Sequence, residues 1–279
     1  MKSKIAFIFL SIFLMSCGNN IKQVKKNVKW PLKSFVKVEH RVYKLVCTPT
    51  DPTNLKSECY EKPVFGGSGS GAIVGRTKQG SYVITAGHVC DKEGVEQDPI
   101  ESILYPELHN TNKEDLKRVF YVYDWDYFKY NAQILSIDKK DDLCLMHIFG
   151  LFERPLYLSK HKPKAGDRVY SMSAPGGLFQ RRMVPLFEGL YSGIYHHYDW
   201  GRRGLYTFPV TGGMSGSAIL NEKGAIVGVI SAGNARFHHI MLGVPYDSTI
   251  DFIVKNVRRD IRKNENRKKS NRPRIIRFK

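Results

Sequence analysis

The 279-residue chain has no apolar run long enough to cross a bilayer: its longest, from Ile5 to Met15, is too short. It has no internal repeats and no cluster of histidine, cysteine and carboxylate residues at metal-ligand spacing, so neither a solenoid nor a metal centre is expected. The glycine-rich stretch 66–71 lacks the Lys-Ser or Lys-Thr of a phosphate-binding loop and leads into a strand instead of a helix. No cofactor is expected. Few windows keep apolar residues at helical spacing beyond ten residues, which excludes a mainly helical fold.

What remains is a series of short β-branched and aromatic runs punctuated by Gly, Asp, Asn and Pro: residues 83–85, 119–123, 132–137, 168–172 and 225–230. That spacing predicts an all-β fold of two packed antiparallel barrels. A helix is expected over residues 248–259, where Ile250, Phe252, Ile253 and Val257 share a face and Ser248 or Thr249 can cap the start.

Three distant segments carry residues of complementary chemistry. Ser215 lies in Thr211-Gly-Gly-Met-Ser215-Gly-Ser217, His88 follows Thr85-Ala-Gly, and Asp142 opens Asp142-Leu-Cys-Leu. A serine hydroxyl becomes a nucleophile when an imidazole takes its proton, and the imidazole needs a carboxylate to fix its tautomer. The order His, Asp, Ser is that of the double-barrel enzymes. With the segments 67–74, 165–177, 187–193 and 224–233, the pattern resembles the trypsin-like serine peptidases, and among them the bacterial HtrA-type domains, from about Ser34 to Val257.

The resemblance implies two six-stranded antiparallel barrels closed by a C-terminal helix, and a peptidase acting through an acyl-enzyme. Ser215 would attack, His88 would relay the proton, and Asp142 would orient the ring, with Asp138 and Asp141 as solvated turn residues. The amides of Gly213 and Ser215 would form the oxyanion hole. Met214 stands where the digestive enzymes carry an aspartate that pairs with a newly cut N-terminus, and no Ile-Val-Gly-Gly activation sequence lies upstream. Activation by an internal clip is therefore not expected. Carried over by position, the specificity pocket has Pro209 and Val210 at its base, Ser231, Ala232 and Gly233 as its wall, and Gly243 on the far side. No carboxylate stands at the base, so a small or medium apolar residue is expected before the cut. His238 and His239 on the following loop can approach.

Lys2 and Lys4 before the apolar run give the charge order of a secretion signal. Its end, Leu14-Met-Ser-Cys17, resembles the bacterial lipobox, which implies a signal peptide over 1–17, acylation of Cys17, and an exported enzyme lipid-anchored at the cell envelope. In a Gram-negative cell that is the periplasmic side of the outer membrane. The alternative is a plain signal peptide cut near Ser16 or Gly18. The lysine-rich stretch 18–33 reads as a flexible tether.

Four further cysteines can oxidise in an exported chain. If His88 and Asp142 touch, Cys90 and Cys144, each two residues further on, can be close as well, which leaves Cys47 with Cys59. The other reading is that Cys90 and Cys144 are small buried core residues.

From Lys255 to the end there are twelve basic residues against Asp260 and Glu265, a net charge of +10 out of +18 for the chain. The segment 258–279 is expected to be disordered or a frayed helix extension, able to lie on an anionic membrane or envelope surface or to stay solvated. No specific nucleic acid is implied. The PDZ module of many HtrA-type enzymes has no place after the helix, so a monomer acting on polypeptide is the simplest expectation. Two other functions use the same features: an inactive trypsin-fold binding module, and an esterase or amidase with a non-peptide substrate.

Overall fold

The computed structural model describes residues 29–51, 54–91, 116–234 and 237–270. Cys17, the anchor and most of the tether lie outside them, as does the tail beyond Ser270.

Twelve strands are described: β1 (Phe35–Asp51), β2 (Asn54–Arg76), β3 (Gly80–Ala86), β4 (Leu116–Tyr123), β5 (Lys129–Asp138), β6 (Leu143–Phe149), β7 (Arg168–Met172), β8 (Leu186–His197), β9 (Gly201–Tyr206), β10 (Ala218–Asn221), β11 (Ile226–Asn234) and β12 (Phe237–Val244). They close into two barrels, in the order β1-β2-β3-β6-β5-β4 and β10-β11-β12-β9-β8-β7. Every strand pairing within them is antiparallel. A one-turn helix, α1 (Gly87–Cys90), follows β3, and a long one, α2 (Tyr246–Ser270), closes the chain. The expected double barrel with a C-terminal helix is the observed fold.

Each barrel is filled from within. Val36, Val38, Ile73, Val83, Met146 and Ile148 pack inside the first. Tyr206, Phe208, Met214, Ile219 and Ile230 pack inside the second. A third cluster lies between them, where Phe35, Ile84 and Leu145 of the first barrel meet Met172, Leu220 and Val229 of the second, with Phe252 and Ile253 of α2 against the same cluster. The site therefore sits over a packed interface.

Three boundaries differ from expectation for packing reasons. Trp30, assigned to the tether, packs against Tyr170 with tilted rings whose centroids are 4.4 Å apart, so packing extends back at least to that residue. α2 starts two residues before Ser248, which leaves Ser248 and Thr249 inside its first turn, with Thr249 donating its backbone N–H to Pro245. The same helix runs on through Ser270. At Asp260 it is tied back to the first barrel, whose Tyr82 hydroxyl donates to the carboxylate at 2.9 Å, so the basic segment is helical as far as it is described.

Both disulfides form as paired in the sequence reading, but only one for the reason given there. Cys47 and Cys59 are direct cross-strand partners on β1 and β2. Cys90 lies on α1 instead of a strand. The one-turn helix folds it back over β6, where Cys144 pairs in register with Thr85, and the two Cα atoms are 6.3 Å apart.

Candidate active site

His88 is carried on α1 directly after β3, and Asp142 ends the β5–β6 turn. Asp138, expected as a solvated turn residue, accepts the amides of Lys140 and Asp141 at 3.0 Å each and so caps the turn. Asp142 itself adopts φ 59°, a left-handed conformation that Asp tolerates better than most residues. Its carboxylate receives three donors. The His88 amide donates at 2.8 Å, His88 Nδ1 lies 3.0 Å from both oxygens, and Ser231 Oγ donates to Oδ2 at 2.5 Å.

A carboxylate can only accept, so His88 Nδ1 carries the hydrogen, and in the neutral ring the lone pair is then on Nε2. Burial alone would raise the Asp142 carboxyl. The hydrogen bond and charge of His88, with the Ser231 hydroxyl, outweigh it and hold the group below the ordinary carboxylate range. Asp142 is thus an anion that fixes one tautomer of a half-exposed imidazole.

Ser215 reaches the same place through backbone packing. Its carbonyl accepts the Ser70 amide at 2.8 Å, and the next amide, Gly216, donates to Ile230 at 2.8 Å. Gly216 has φ 88° and lies so close to the end of β3 that a Cβ would fall 2.1 Å from Thr85 Oγ1 and 2.7 Å from the Ala86 nitrogen. Ser215 is therefore pressed against the strand that delivers His88. The Ser215 hydroxyl makes no hydrogen bond among the described residues, His88 included.

The turn before the serine is closed by the Met214 amide on the Thr211 carbonyl, with Gly213 at φ 87° in its third position, where type II turns require positive φ. The amides of Gly213 and Ser215 have no acceptor among the described residues. Met214 is buried in the second barrel's core, so packing holds the turn without the ion pair of the digestive enzymes.

Ser70 is a site residue that sequence reasoning missed. Its hydroxyl donates to the Gly213 carbonyl at 2.8 Å and accepts the Ala174 amide at 2.9 Å, while its carbonyl accepts Thr85 Oγ1 at 2.7 Å. One side chain thereby links β2, the Gly213 turn and the segment after β7. Its position in the Gly-Ser-Gly-Ser-Gly run of the first strand pair was the only available signal. Ser231 was seen only as pocket wall, whereas it also holds Asp142.

Among the other expected pocket residues, Val210 packs on Gly233, with its Cγ1 2.6 Å from where a Cβ would stand, and its amide donates to the His238 carbonyl at 2.9 Å. Pro209 is exposed beside it and Ala232 is half-buried. Gly243 faces Tyr206 and Ile219 inside the barrel. A cleft of about 960 Å³ runs from His88, Asp142 and Ser231 past Ala232 to Tyr198 and Trp200 at the β8–β9 hairpin tip.

Two closed six-stranded barrels, with a carboxylate-held histidine and a serine ahead of Gly216 at their junction, have the architecture of the trypsin-like peptidase class. The trypsin-like peptidase domain family matches residues 69–229, more than half of the chain, and the chain belongs to that family. No curated protein matches it at a significant level. A solved structure of the HtrA-type protease AlgW with a decapeptide is similar at a TM-score of 0.56 and 16% identity, over 83% of this chain and 66% of that one. The active form of the Rv3671c protease from M. tuberculosis is similar at 0.53 and 16%, over 81% and 82%. The chain thus spans just under two thirds of the AlgW chain, and at these identities the likeness concerns the fold.

Proposed function

We propose that the chain hydrolyses peptide bonds with Ser215 as nucleophile, His88 as general base and acid, and Asp142 as the group that orients the imidazole. The observation that carries this reading is the three-donor cage on Asp142, which presents the lone pair of His88 Nε2 while Gly216 holds Ser215 against the same strand end. Ser215 Oγ adds to the scissile carbonyl as its proton passes to Nε2, and the carbonyl oxygen becomes an oxyanion facing the amides of Gly213 and Ser215. Collapse breaks the C–N bond, the leaving amine takes the proton from His88, and an acyl ester remains on Ser215. Water, deprotonated by His88, then releases the acid and restores the serine.

Val210 packed on Gly233, with no carboxylate among the expected pocket residues, supports a small or medium apolar residue before the cut. Met214 packed in the core supports activity without an internal clip. The signal and lipobox pattern supports an exported enzyme anchored through Cys17, and the basic C-terminal segment supports contact with an anionic envelope surface.

Labelling by a fluorophosphonate probe tests the site: wild type labels and Ser215→Ala does not. Turnover of casein or a peptide library then separates a peptidase from an esterase, and strict cleavage after Arg, Lys or Glu would overturn the pocket assignment. An intact mass lacking acyl chains would remove the anchor.

A further inference from the structure

Arg203, on β9, is a charge without a counterion among the described residues, in the wall of the cleft beside His88. It is 4% exposed, yet no carboxylate lies within ion-pair distance of it among the described residues. Its guanidinium donates only to carbonyls, Nη1 to Arg202 at 3.1 Å and Nη2 to Lys140 at 3.2 Å, and Nε has no acceptor. The neighbouring cations differ: Arg202 reaches Asp247 at 3.8 Å and Lys139 reaches Asp91 at 3.3 Å. Of the three carboxylates that line the same cleft, Asp142 is committed to His88 and Ser231, and neither Asp141 nor Asp199 is within ion-pair distance of Arg203 among the described residues. A guanidinium cannot shed its proton, so burial without an anion is costly unless an anion arrives from outside.

We infer that Arg203 receives an acidic side chain of the polypeptide substrate, at a position upstream of the residue that precedes the cut. The inference rests on the peptidase reading above. Ser231 and Ala232 belong both to the wall of the pocket for that residue and to the cleft that Arg203 lines, so the preceding stretch of substrate runs along this cleft. Tyr198, which is 90% exposed, and Trp200 flank the cleft at the hairpin tip, with His197 stacked on both rings at 4.8 and 4.2 Å. They supply flat apolar surface beside the cation, which suits a peptide with an acidic residue next to an apolar one. A planar guanidinium meets a carboxylate through two parallel N–H donors, a geometry that distinguishes Glu or Asp from their amides.

Matched peptides carrying Glu or Gln at each of the three positions upstream of the residue before the cut provide the test. One position is expected to show kcat/KM about tenfold higher for Glu, shrinking as salt is raised. Arg203→Gln brings that ratio to about one, and Arg203→Lys restores part of it. Because Nη2 also clamps the turn before Asp142, a purely structural Arg203 would lower turnover of both peptides equally and leave the ratio intact, which would overturn the inference. If Arg203→Gln does not fold, the wild-type ratios still decide: values near one at all three positions sink the proposal. Inhibition by an anionic polysaccharide without Glu preference would assign the cation to a polyanion and also overturn it. Fluorophosphonate labelling of wild-type Ser215 keeps the two readings apart, since a labelled enzyme with no Glu preference retains the peptidase and loses only the acidic subsite.

Discussion

At the scale of single residues, Asp142 and Gly216 hold the site by different means. Asp142 works through charge and donor count. Asp142→Asn would leave the geometry in place but let the amide donate to the ring, favouring the wrong tautomer, and kcat is expected to fall by about 10⁴ while the melting temperature changes little. Ser231→Ala removes one of the carboxylate's donors and is expected to cost about tenfold. A larger loss for Ser231→Ala than for Asp142→Asn would contradict this ranking. Gly216 works through space and φ. Gly216→Ala would drive a methyl into Thr85 Oγ1 and the Ser70 carbonyl in a conformation L-residues avoid, so fluorophosphonate labelling should be lost along with several degrees of melting temperature. His88, Asp142 and Ser215 were legible in the sequence because their neighbours form recognisable strings. Ser70 and Arg203 were not, since their roles are contacts across 104 and 63 residues of chain, which no local pattern encodes.

At the scale of elements, α1 is small and consequential. It is one turn long with no side-chain cap, and its last residue is bonded to β6 through the Cys90–Cys144 disulfide, 54 residues apart in sequence. In the chain-entropy model a closed loop of that size is worth about 4 kcal/mol. Replacing both cysteines by alanine should lower the melting temperature by several degrees and slow labelling of Ser215, because His88 sits two residues from the bridge. Unchanged labelling kinetics would show that β3 and Asp142 suffice to hold the ring. The strand runs were visible in advance because β-branched and aromatic residues alternate there. α1 was not, because four residues cannot display a helical period and the disulfide, not propensity, stabilises the turn. The extension of α2 to Ser270 was legible only as one of two readings, for a related reason: its basic sequence lacks an apolar face, and Asp260 gains its anchor, Tyr82, from a strand 178 residues earlier.

At the scale of the whole molecule, the half-buried His40 and the buried His147 weaken folding at low pH. His40 lies between Phe65 and Phe120 with neither ring nitrogen partnered among the described residues, and burial, then the positive charge of Arg118, pushes its pKa below the usual 6.5. Burial lowers His147 likewise, with Asp260 opposing in part. In both cases the unfolded chain takes up the proton first as pH falls. Folding free energy is therefore intact above about pH 6.5 and declines below it. Urea melts between pH 7.5 and 5 should show that decline, and His40→Leu should flatten it; an unchanged slope in that variant would exclude His40 as the cause.

The bond from Ser231 to Asp142 joins residues 89 positions apart on different barrels. A ribosome delivers the first barrel, with His88 and Asp142, well before the strand that completes their alignment, and Ser215 itself emerges in the same late portion. A nascent chain is therefore silent toward its neighbours until the second barrel, which carries Ser215, has emerged, and co-expressed halves would gain reactivity only by reassembling.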